Sequence, residues 1–179
     1  MSATVVSVHR HDQHAFSKPP VDEVTLIEGV GVEGDAHAGA TVKHRSRVAK
    51  DPSTPNLRQV HLIHEELFEL VARAGYAVAP GELGENITTR GVALLNLPVG
   101  TRLLIGEVVL TVTGLRNPCA QINDYQPGLL KQVLRRSDDG SIERLAGVMS
   151  IVSRGGTVRP GDAIEIVPPQ PPHVPLTAV

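Results

Sequence analysis

A strand that runs into a cysteine-bearing loop is the feature of this sequence that most constrains its fold. Strongly and weakly apolar side chains alternate over residues 108–113, which is the period of a β-strand with one face in a core. The strand is predicted to end at Gly114. The loop beyond it carries, in order, Arg116, Asn117, Pro118 and Cys119. A loop residue past a strand end can meet a ligand, whereas a residue in mid-strand mostly packs.

Cys119 is the only cysteine, and two interpretations of it stay open. A free cysteine commonly packs as a small buried hydrophobe and is then chemically inert. Two neighbours favour a reactive thiol instead. Pro118 interrupts a strand ladder, and Arg116 favours the thiolate if it folds near the sulfur.

Length and charge exclude several classes of protein. The chain has 179 residues, which suits one well-buried domain. Its formal net charge of −2 lacks the basic character of a nucleic-acid-binding domain. A single cysteine cannot form an internal disulfide, and no apolar run has the length of a signal peptide or a membrane span. We therefore expect a cytoplasmic protein without membrane or nucleic-acid partners.

Turn residues and aliphatic side chains predict a β-rich fold. Glycine (17) and proline (14) are frequent while aromatic residues make up 2%, so many turns must surround a core of Val, Leu and Ile. Strands are predicted over 4–8, 24–27, 58–63, 102–105, 108–112, 147–152 and 163–167, and helices over 65–74 and 127–136. Residues 168–179 contain five prolines and no core pattern, which predicts a loose, flexible tail.

A glycine-rich loop over residues 28–39 supplies the first candidate polar site. Residues 29–34 fit the dinucleotide-binding glycine pattern, but no helix is predicted to follow, and the pattern has meaning only between a strand and a helix. Asp35 and His37 are better candidates, because a carboxylate beside an imidazole can fix its tautomer. The alternative is that Asp35 only stabilises a turn.

Two further segments are candidates for binding polar ligands. Residues 42–57 form an irregular basic stretch, which is either a flap for an anionic ligand or a solvated loop. Its basic residues and histidine are Lys43, His44, Arg45, Arg47 and Lys50. Residues 80–91 place acids, an amide, hydroxyls and an arginine between glycines, a composition that can present several donors and acceptors to a ligand.

The histidines allow a metal site only as an alternative. His9, His11 and His14 cluster in one loop without cysteine or a fixed acidic partner, which is typical of a solvated tract. His61 and His64 lack the spacing of a zinc protease motif and are interpreted as structural.

Five motifs in order give the chain a family resemblance. They are GDAHAG at 34–39, RQVHLI at 58–63, PGELGENITT at 80–89, LPVG at 97–100 and Pro118-Cys119. From about residue 24 to 167 the chain resembles the MOSC domain, the molybdenum-cofactor sulfurase C-terminal domain, in a stand-alone bacterial-type form. The resemblance implies one mostly β domain over residues 1–167, an antiparallel β-barrel of the pyruvate-kinase-barrel-like kind with a few short helices, followed by the tail.

The resemblance also implies a site. Cys119 is expected to be the functional thiol, as a ligand of molybdenum in the molybdopterin cofactor or as a persulfide carrier, because a thiolate is both a soft metal donor and a sulfur nucleophile. His37 is expected to act with it on the substrate. The cofactor-binding residues are expected among Asp35, Arg58, Glu85, Asn86, Thr88, Arg116 and Asn117.

Two activities and one alternative follow from the resemblance. The domain is expected to reduce N-hydroxylated small molecules or to hand sulfur to an acceptor, with a separate protein donating the electrons or the sulfur. The alternative is a non-catalytic module that binds a pterin or another anionic metabolite. The chain has no room for the pyridoxal-phosphate desulfurase of the large sulfurases, so pyridoxal phosphate is not expected.

Overall fold

Short strands make up most of the regular structure. The computed structural model describes residues 2–43 and 45–179, so His44 of the basic stretch lies outside the described residues. In chain order the strands are β1 (Thr4–His9), β2 (Pro20–Val21), β3 (Val24–Ile27), β4 (Gly31–Val32), β5 (Val60–His64), β6 (Ile87–Arg90), β7 (Arg102–Ile105), β8 (Val108–Leu115), β9 (Leu134–Arg136), β10 (Ile142–Arg144), β11 (Val148–Arg154), β12 (Gly156–Val158) and β13 (Glu165–Val167). The prediction of a mostly β chain is confirmed.

The helices are few and short. They are α1 (Arg45–Val48), α2 (Glu66–Arg73), α3 (Gln121–Tyr125) and α4 (Leu130–Val133), with a 3-10 turn at Leu94–Asn96. No described helix combines the length and the apolarity needed to cross a bilayer.

One eight-stranded sheet carries the fold. Its strand order is β13-β7-β8-β11-β5-β6-β1-β2, and two small sheets, β12-β3-β4 and β10-β9, accompany it. Neighbours in the large sheet are antiparallel except β5 and β6, which are parallel. Because helix α2 lies between β5 and β6 in the chain, the crossover that a parallel pair requires is present.

The predicted closed barrel is not confirmed, because in the part of the chain that the structure describes no ladder joins the edge strands β13 and β2. The sheet curls far enough for β1 to meet the turn before β13. Val5 N donates to Asp162 O at 2.9 Å, and Ile164 N donates to Ala3 O at 2.9 Å. Gly161 N in this turn also donates to Val5 O at 2.8 Å. Strand β13 begins only after the turn and pairs with β7, so in the described residues these bonds and the single Thr4–Ala163 bridge do not extend into a ladder between β1 and β13.

The core confirms the alternation in β8. Val108, Leu110 and Val112 are buried while the residues between them are half-buried. Aliphatic side chains from the large sheet and from β3, β4 and β12 form the main hydrophobic cluster. A second cluster packs helix α2, through Leu67 and Val71, against the segments that follow β8.

The predicted helix over 127–136 is correct only over Leu130–Val133. Helix α4 ends at Val133, and the next three residues form β9, which pairs with β10. A turn makes this hairpin, because Gly140 N donates to Ser137 O at 2.9 Å and Ser141 N donates to Asp139 Oδ1 at 2.8 Å. Pairing across the turn therefore overrides the helical periodicity of the segment.

Residues 168–179 pack on the body of the fold instead of forming a loose tail. Leu115 N at the end of β8 donates to Thr177 O at 2.8 Å, and Val99 N donates to Val174 O at 2.9 Å. Leu176 packs on the main cluster. The segment contains no named helix or strand, but these contacts hold it on the fold.

Gly147 is expected to be a steric requirement of the β5-β11 pairing. Its φ is +86°, and a Cβ there would collide with the carbonyl oxygen of Leu62 on β5, whereas Gly140, with a φ of +84°, has open space around it. We expect Gly140→Ala to cost about 1 kcal/mol of unfolding free energy, and Gly147→Ala to cost a further ~1–3 kcal/mol from the clash. Urea unfolding of both variants checks this. Equal losses would contradict the steric account.

His9, at the end of β1, makes stability depend on pH. Its side chain is buried, and burial, followed by the charge of Lys18, lowers its pKa from 6.5 to about 4. Between these values the unfolded chain binds the proton and the folded chain does not. The free energy of unfolding is therefore expected to fall as pH is lowered through this window, by up to about 1.4 kcal/mol per pH unit for this residue.

The His9→Leu variant is expected to lose that part of the slope, as measured by urea unfolding between about pH 7 and pH 5. Part of the slope should remain in the variant, because burial also lowers the pKa of His61 and of His64. The control is His173→Leu, which changes an exposed histidine near the C-terminus. A wild-type slope in His9→Leu would show that His9 is not the titrating group.

Candidate functional site

A single large cavity receives most of the predicted site residues. Its volume is about 800 Å³, within the size range of small-molecule sites. Its walls come from the loop before β2, the glycine-rich loop, the basic stretch, β5, and the loops before β6 and after β8. The lining residues that carry chemistry are His14, Lys18, His37, Arg45, Arg47, Lys50, Arg58, His61, Asn86, Arg116, Asn117 and Cys119.

The cavity is strongly cationic. Six of the described lining residues are lysine or arginine. No described lining residue is aspartate or glutamate. The whole chain carries a formal charge of −2, so the positive charge is a local arrangement and not a property of the composition. A concave site lined by one sign of charge concentrates ligands of the opposite sign.

Cys119 lies at the rim of this cavity with its side chain exposed. The loop that carries it is fixed on both sides, because Arg116 N donates to Gly147 O at 3.0 Å and Ile122 N donates to Cys119 O at 3.1 Å. The thiol has Gln121 Oε1 at 3.5 Å as its hydrogen-bond acceptor. The interpretation of Cys119 as an inert core thiol is therefore wrong, because the sulfur is reachable from solvent.

Half-buried Arg58 and buried Arg116 form the cationic wall next to the thiol. Arg116 is 8% exposed, and burial lowers its pKa, although the charge on Cys119 opposes that shift. Burial, followed by the charge of Arg47, lowers the pKa of Arg58 to about 10. Arg58 Nε and Arg116 Nη1 are buried without a hydrogen-bond partner among the described residues. Since buried donors are normally paired, these two are available to a ligand.

The Asp35 carboxylate lies behind the cavity wall and holds several wall residues. Lys18 Nζ is 2.8 Å from Oδ2, and His37 Nδ1 is 3.3 Å from Oδ1. Asn86 Nδ2 donates to Oδ2 at 3.1 Å. Side-chain bonds from His37 and the charge of Lys18 overcome burial and hold the pKa of Asp35 far below its usual range. Asp35 also stabilises the turn that it begins, as the alternative interpretation predicts, since His37 N donates to Asp35 Oδ1 at 3.0 Å.

Glu85 and Thr88 do not line the cavity, contrary to their expected cofactor-binding role. Both side chains are fully buried, and Thr88 donates to Glu85 Oε1 at 3.0 Å. Gly81 N donates to the same oxygen at 2.6 Å. Burial raises the pKa of Glu85. These contacts brace the loop before β6, so the geometry supports a structural role for this pair.

Asn86 and Asn117 both line the cavity, and hydrogen bonds fix each side chain. Asn86 lines the cavity while Nδ2 donates to His9 O at 3.2 Å and Oδ1 accepts from His61 N at 3.2 Å. Asn117 Oδ1 accepts from Arg144 Nε at 3.0 Å, which ties the cysteine loop to β10. Both side chains therefore also position the loops that frame the cavity.

The histidines do not assemble a metal site by themselves. Among residues 2–43 and 45–179 no three His, Cys, Asp or Glu side chains gather closely enough to hold an ion. His61 lines the cavity, but its Nε2 is 2.8 Å from Ala146 O, which fits its structural interpretation. His14 packs edge-on against the ring of His37, with centroids 5.1 Å apart.

Lys18 is the wall residue that the sequence did not single out. It lies in the segment between β1 and β2, which was expected to be a polar loop, yet it is 5% exposed. Its local signal is weak, namely one lysine directly before Pro19-Pro20. Because its carboxylate partner is distant in sequence, only the folded chain reveals the pair.

Comparisons with known proteins find relatives of this chain and of its fold. YuaD of Bacillus subtilis (strain 168), whose name proposes a role in metal-sulfur cluster biosynthesis, is 28% identical over 180 residues that cover 93% of this chain and 91% of YuaD. The YuaD crystal structure matches 95% of this chain and 98% of its own with a TM-score of 0.76. YiiM from Escherichia coli, 22% identical, shares the fold with a TM-score of 0.64 over 97% of this chain and 73% of YiiM.

The family profile of the MOSC domain matches residues 35–165, which run from the Asp35 carboxylate behind the cavity through the cysteine loop to the first residue of β13. The match covers most of the chain and includes Cys119, Arg58 and Arg116. The chain therefore belongs to the MOSC domain family.

Proposed function

We propose that this domain binds molybdenum cofactor in the cationic cavity, with the Cys119 thiolate facing the metal, and uses it to reduce N-hydroxylated small molecules. One observation carries the proposal: a reachable thiol stands at the rim of a cavity with six described cationic residues and no described carboxylate. A ligand that combines anionic groups with a thiophilic metal can bind both the cationic residues and the thiol of this site.

The free donors of the wall fit the phosphate of a pterin cofactor. Arg116 is buried and Arg58 is half-buried, and each keeps a buried guanidinium nitrogen without a partner among the described residues. Guanidinium groups bind phosphate with charge-assisted hydrogen bonds and remain charged when buried. We therefore assign the phosphate to these two residues, with Arg47 adding positive charge from the basic stretch.

The single thiolate fits a metal that brings most of its own ligands. No three metal-binding side chains gather in the described residues, so the chain alone does not build a complete coordination sphere. A pterin cofactor would bring sulfur donors of its own, and Cys119 would add one soft ligand.

The roles of the chain's own residues follow from their positions. When bound, the cofactor supplies two-electron redox chemistry at molybdenum. Cys119 would hold the metal side of the cofactor, while His37 and Asn86, which also line the cavity, would orient the substrate. Asp35 positions the imidazole of His37. Electrons come from a separate carrier protein.

Sulfur carriage is the second candidate function, and the exposure of Cys119 favours it. An exposed thiolate can take the outer sulfur of a persulfide on a donor protein, which releases the donor's thiolate, and can then pass that sulfur to an acceptor. The name of YuaD, which proposes metal-sulfur cluster biosynthesis for that protein, points the same way.

Removing one buried guanidinium is expected to weaken cofactor retention. We expect Arg58→Gln and Arg116→Gln each to reduce the pterin and molybdenum recovered per chain by about tenfold or more, since a charge-assisted hydrogen bond contributes about 1.5–3 kcal/mol. The measurement is pterin fluorescence and elemental analysis of protein made in a cofactor-producing host. The control is Arg102→Gln, an exposed arginine on β7 outside the cavity. Full retention in both cavity variants would contradict the phosphate assignment.

Cys119→Ser is expected to separate the candidate functions. If Cys119 ligates the metal, the folded variant should lose molybdenum and reductase activity, because a hydroxyl is a poor ligand for a thiophilic metal. Unfolding stability should change by less than about 0.5 kcal/mol, since the side chain is exposed.

Two other outcomes would reject the metal-ligand role. Cyanide-releasable sulfur on wild-type Cys119 without molybdenum would favour the sulfur carrier. Unchanged pterin and metal content in the serine variant would favour a non-catalytic binding module.

A further inference from the structure

The Cys119 thiol is exposed at the rim of the cavity and is only loosely held there. Its hydrogen bond to Gln121 Oε1, at 3.5 Å, joins two exposed side chains. A thiol is a weak hydrogen-bond donor, so this bond leaves the sulfur free to react. Because the chain has one cysteine, a disulfide at this position must join Cys119 to another molecule.

Arg116 provides an unpaired donor close to this thiol. It lies three residues before Cys119 in the chain, so the two Cα atoms are at most about 11 Å apart. Its side chain is 8% exposed and lines the cavity, and its Nη1 is buried without a hydrogen-bond partner among the described residues. Since buried donors are normally paired, the cavity favours a ligand that brings an acceptor to this guanidinium.

The charges that line the cavity around the thiol have one sign. Burial lowers the pKa of Arg116 and of Arg58, and the charge of Cys119 opposes that shift in both, so each guanidinium interacts electrostatically with the sulfur position. No described residue of the lining is aspartate or glutamate. An anionic molecule that approaches Cys119 is therefore attracted by the lining, whereas a neutral molecule gains nothing from this field.

We propose that, when no cofactor occupies the cavity, Cys119 forms a mixed disulfide with anionic low-molecular-weight thiols, the chemical class to which glutathione belongs. The guanidinium groups of Arg116 and Arg58 hold a carboxylate of the attached thiol by charge-assisted hydrogen bonds. The cavity, at about 800 Å³, has room for a molecule of this size. The inference does not depend on molybdenum and identifies a modification that covers the functional thiol.

The reaction is thiol–disulfide exchange, with the disulfide form of the small thiol as the oxidant. The thiol proton of Cys119 passes to solvent, and the thiolate attacks one sulfur of the small disulfide. The new bond to Cys119 Sγ forms as the bond between the two sulfurs of the small disulfide breaks, and the other half leaves as a thiolate with the electron pair. Cys119 is oxidised and the leaving half is reduced, so an excess of small thiol reverses the step.

The charge preference is tested with two disulfides of similar size. Dithiodipropionate carries a carboxylate at each end, and hydroxyethyl disulfide carries hydroxyls in their place. Each is mixed with the full chain made in a host that lacks the cofactor, and intact mass spectrometry follows the adduct on the single cysteine. Each rate is divided by the rate of a neutral small thiol with the same probe, which removes the intrinsic reactivity of the probes. We expect the anionic probe to be favoured about tenfold after this correction, and less at high salt.

Replacing either arginine is expected to weaken the preference. We expect Arg116→Gln and Arg58→Gln each to reduce the corrected ratio by about threefold or more, since each removes one charge near the sulfur. The control is Arg102→Gln, an exposed arginine on β7 outside the cavity, which is expected to keep the ratio. A corrected wild-type ratio near unity, or a ratio that neither salt nor the cavity variants reduce, would overturn the inference. The salt dependence of the wild-type protein decides if the variants do not fold.

Protein made in a cofactor-producing host separates this inference from the proposed function. If Cys119 ligates the metal, the loaded protein is expected to resist the anionic disulfide while the cofactor-free protein reacts. Equal, charge-dependent reaction of both preparations would keep the mixed disulfide and reject the metal-ligand role. A folded, cofactor-free protein that forms no adduct would overturn the mixed disulfide and leave the cofactor proposal intact.

Discussion

The buried carboxylate of Asp35 is the interaction on which the rest of the site depends. It joins Lys18 from the segment after β1, His37 from the glycine-rich loop and Asn86 from the loop before β6. Asn86 then bonds to His9 O and to His61 N, which connects the carboxylate to β1 and β5. Because these segments are far apart in sequence, one ionised group fixes their relative positions. Removing a partner from a buried charge is strongly destabilising, so the network also holds the fold at this end of the sheet.

The placement of acids and bases explains how a weakly acidic chain builds a cationic cavity. Asp35 and Glu85 lie behind the wall, where Asp35 neutralises Lys18 and burial favours the protonated form of Glu85. Arg58 and Arg116 face the cavity without an ion-pair partner at salt-bridge distance among the described residues. The net charge near zero therefore gave no sign of this site, since electrostatic recognition depends on local arrangement.

The sequence predicted the positions of the strands better than whether the sheet closes into a barrel. It likewise predicted the positions of the loops better than their tertiary contacts. Alternation over 108–113 identified β8 because one face of that strand is buried along its whole length. Local patterns could not show that Leu134–Arg136 would pair with β10 or that Thr177 would bond to the end of β8, because both depend on distant backbone. For the site, motif order pointed to Cys119, His37 and Arg58, and closeness in sequence to Cys119 pointed to Arg116. All four line the cavity. Lys18 was missed because it has no motif, and Glu85 and Thr88 were assigned to the ligand because sequence does not distinguish a loop's inner bracing from its exposed face.

The energetics of the fold allow a site with unmet hydrogen-bond donors. A buried aliphatic side chain contributes about 1.5–3 kcal/mol, and an unsatisfied buried polar group costs about 1–3 kcal/mol. The main cluster is built almost entirely from Val, Leu and Ile of the large sheet and its neighbours, whereas the unpartnered nitrogens of Arg58 and Arg116 lie in the cavity wall outside it. Aliphatic packing can thus offset the cost of leaving these donors free, while Asp35 keeps the neighbouring polar groups ordered. A binding site that is prepared before its ligand arrives stores such a cost in the free protein and recovers it on binding. Here that cost lies in two guanidinium groups, which is why an anionic group is the ligand chemistry that this fold accommodates best.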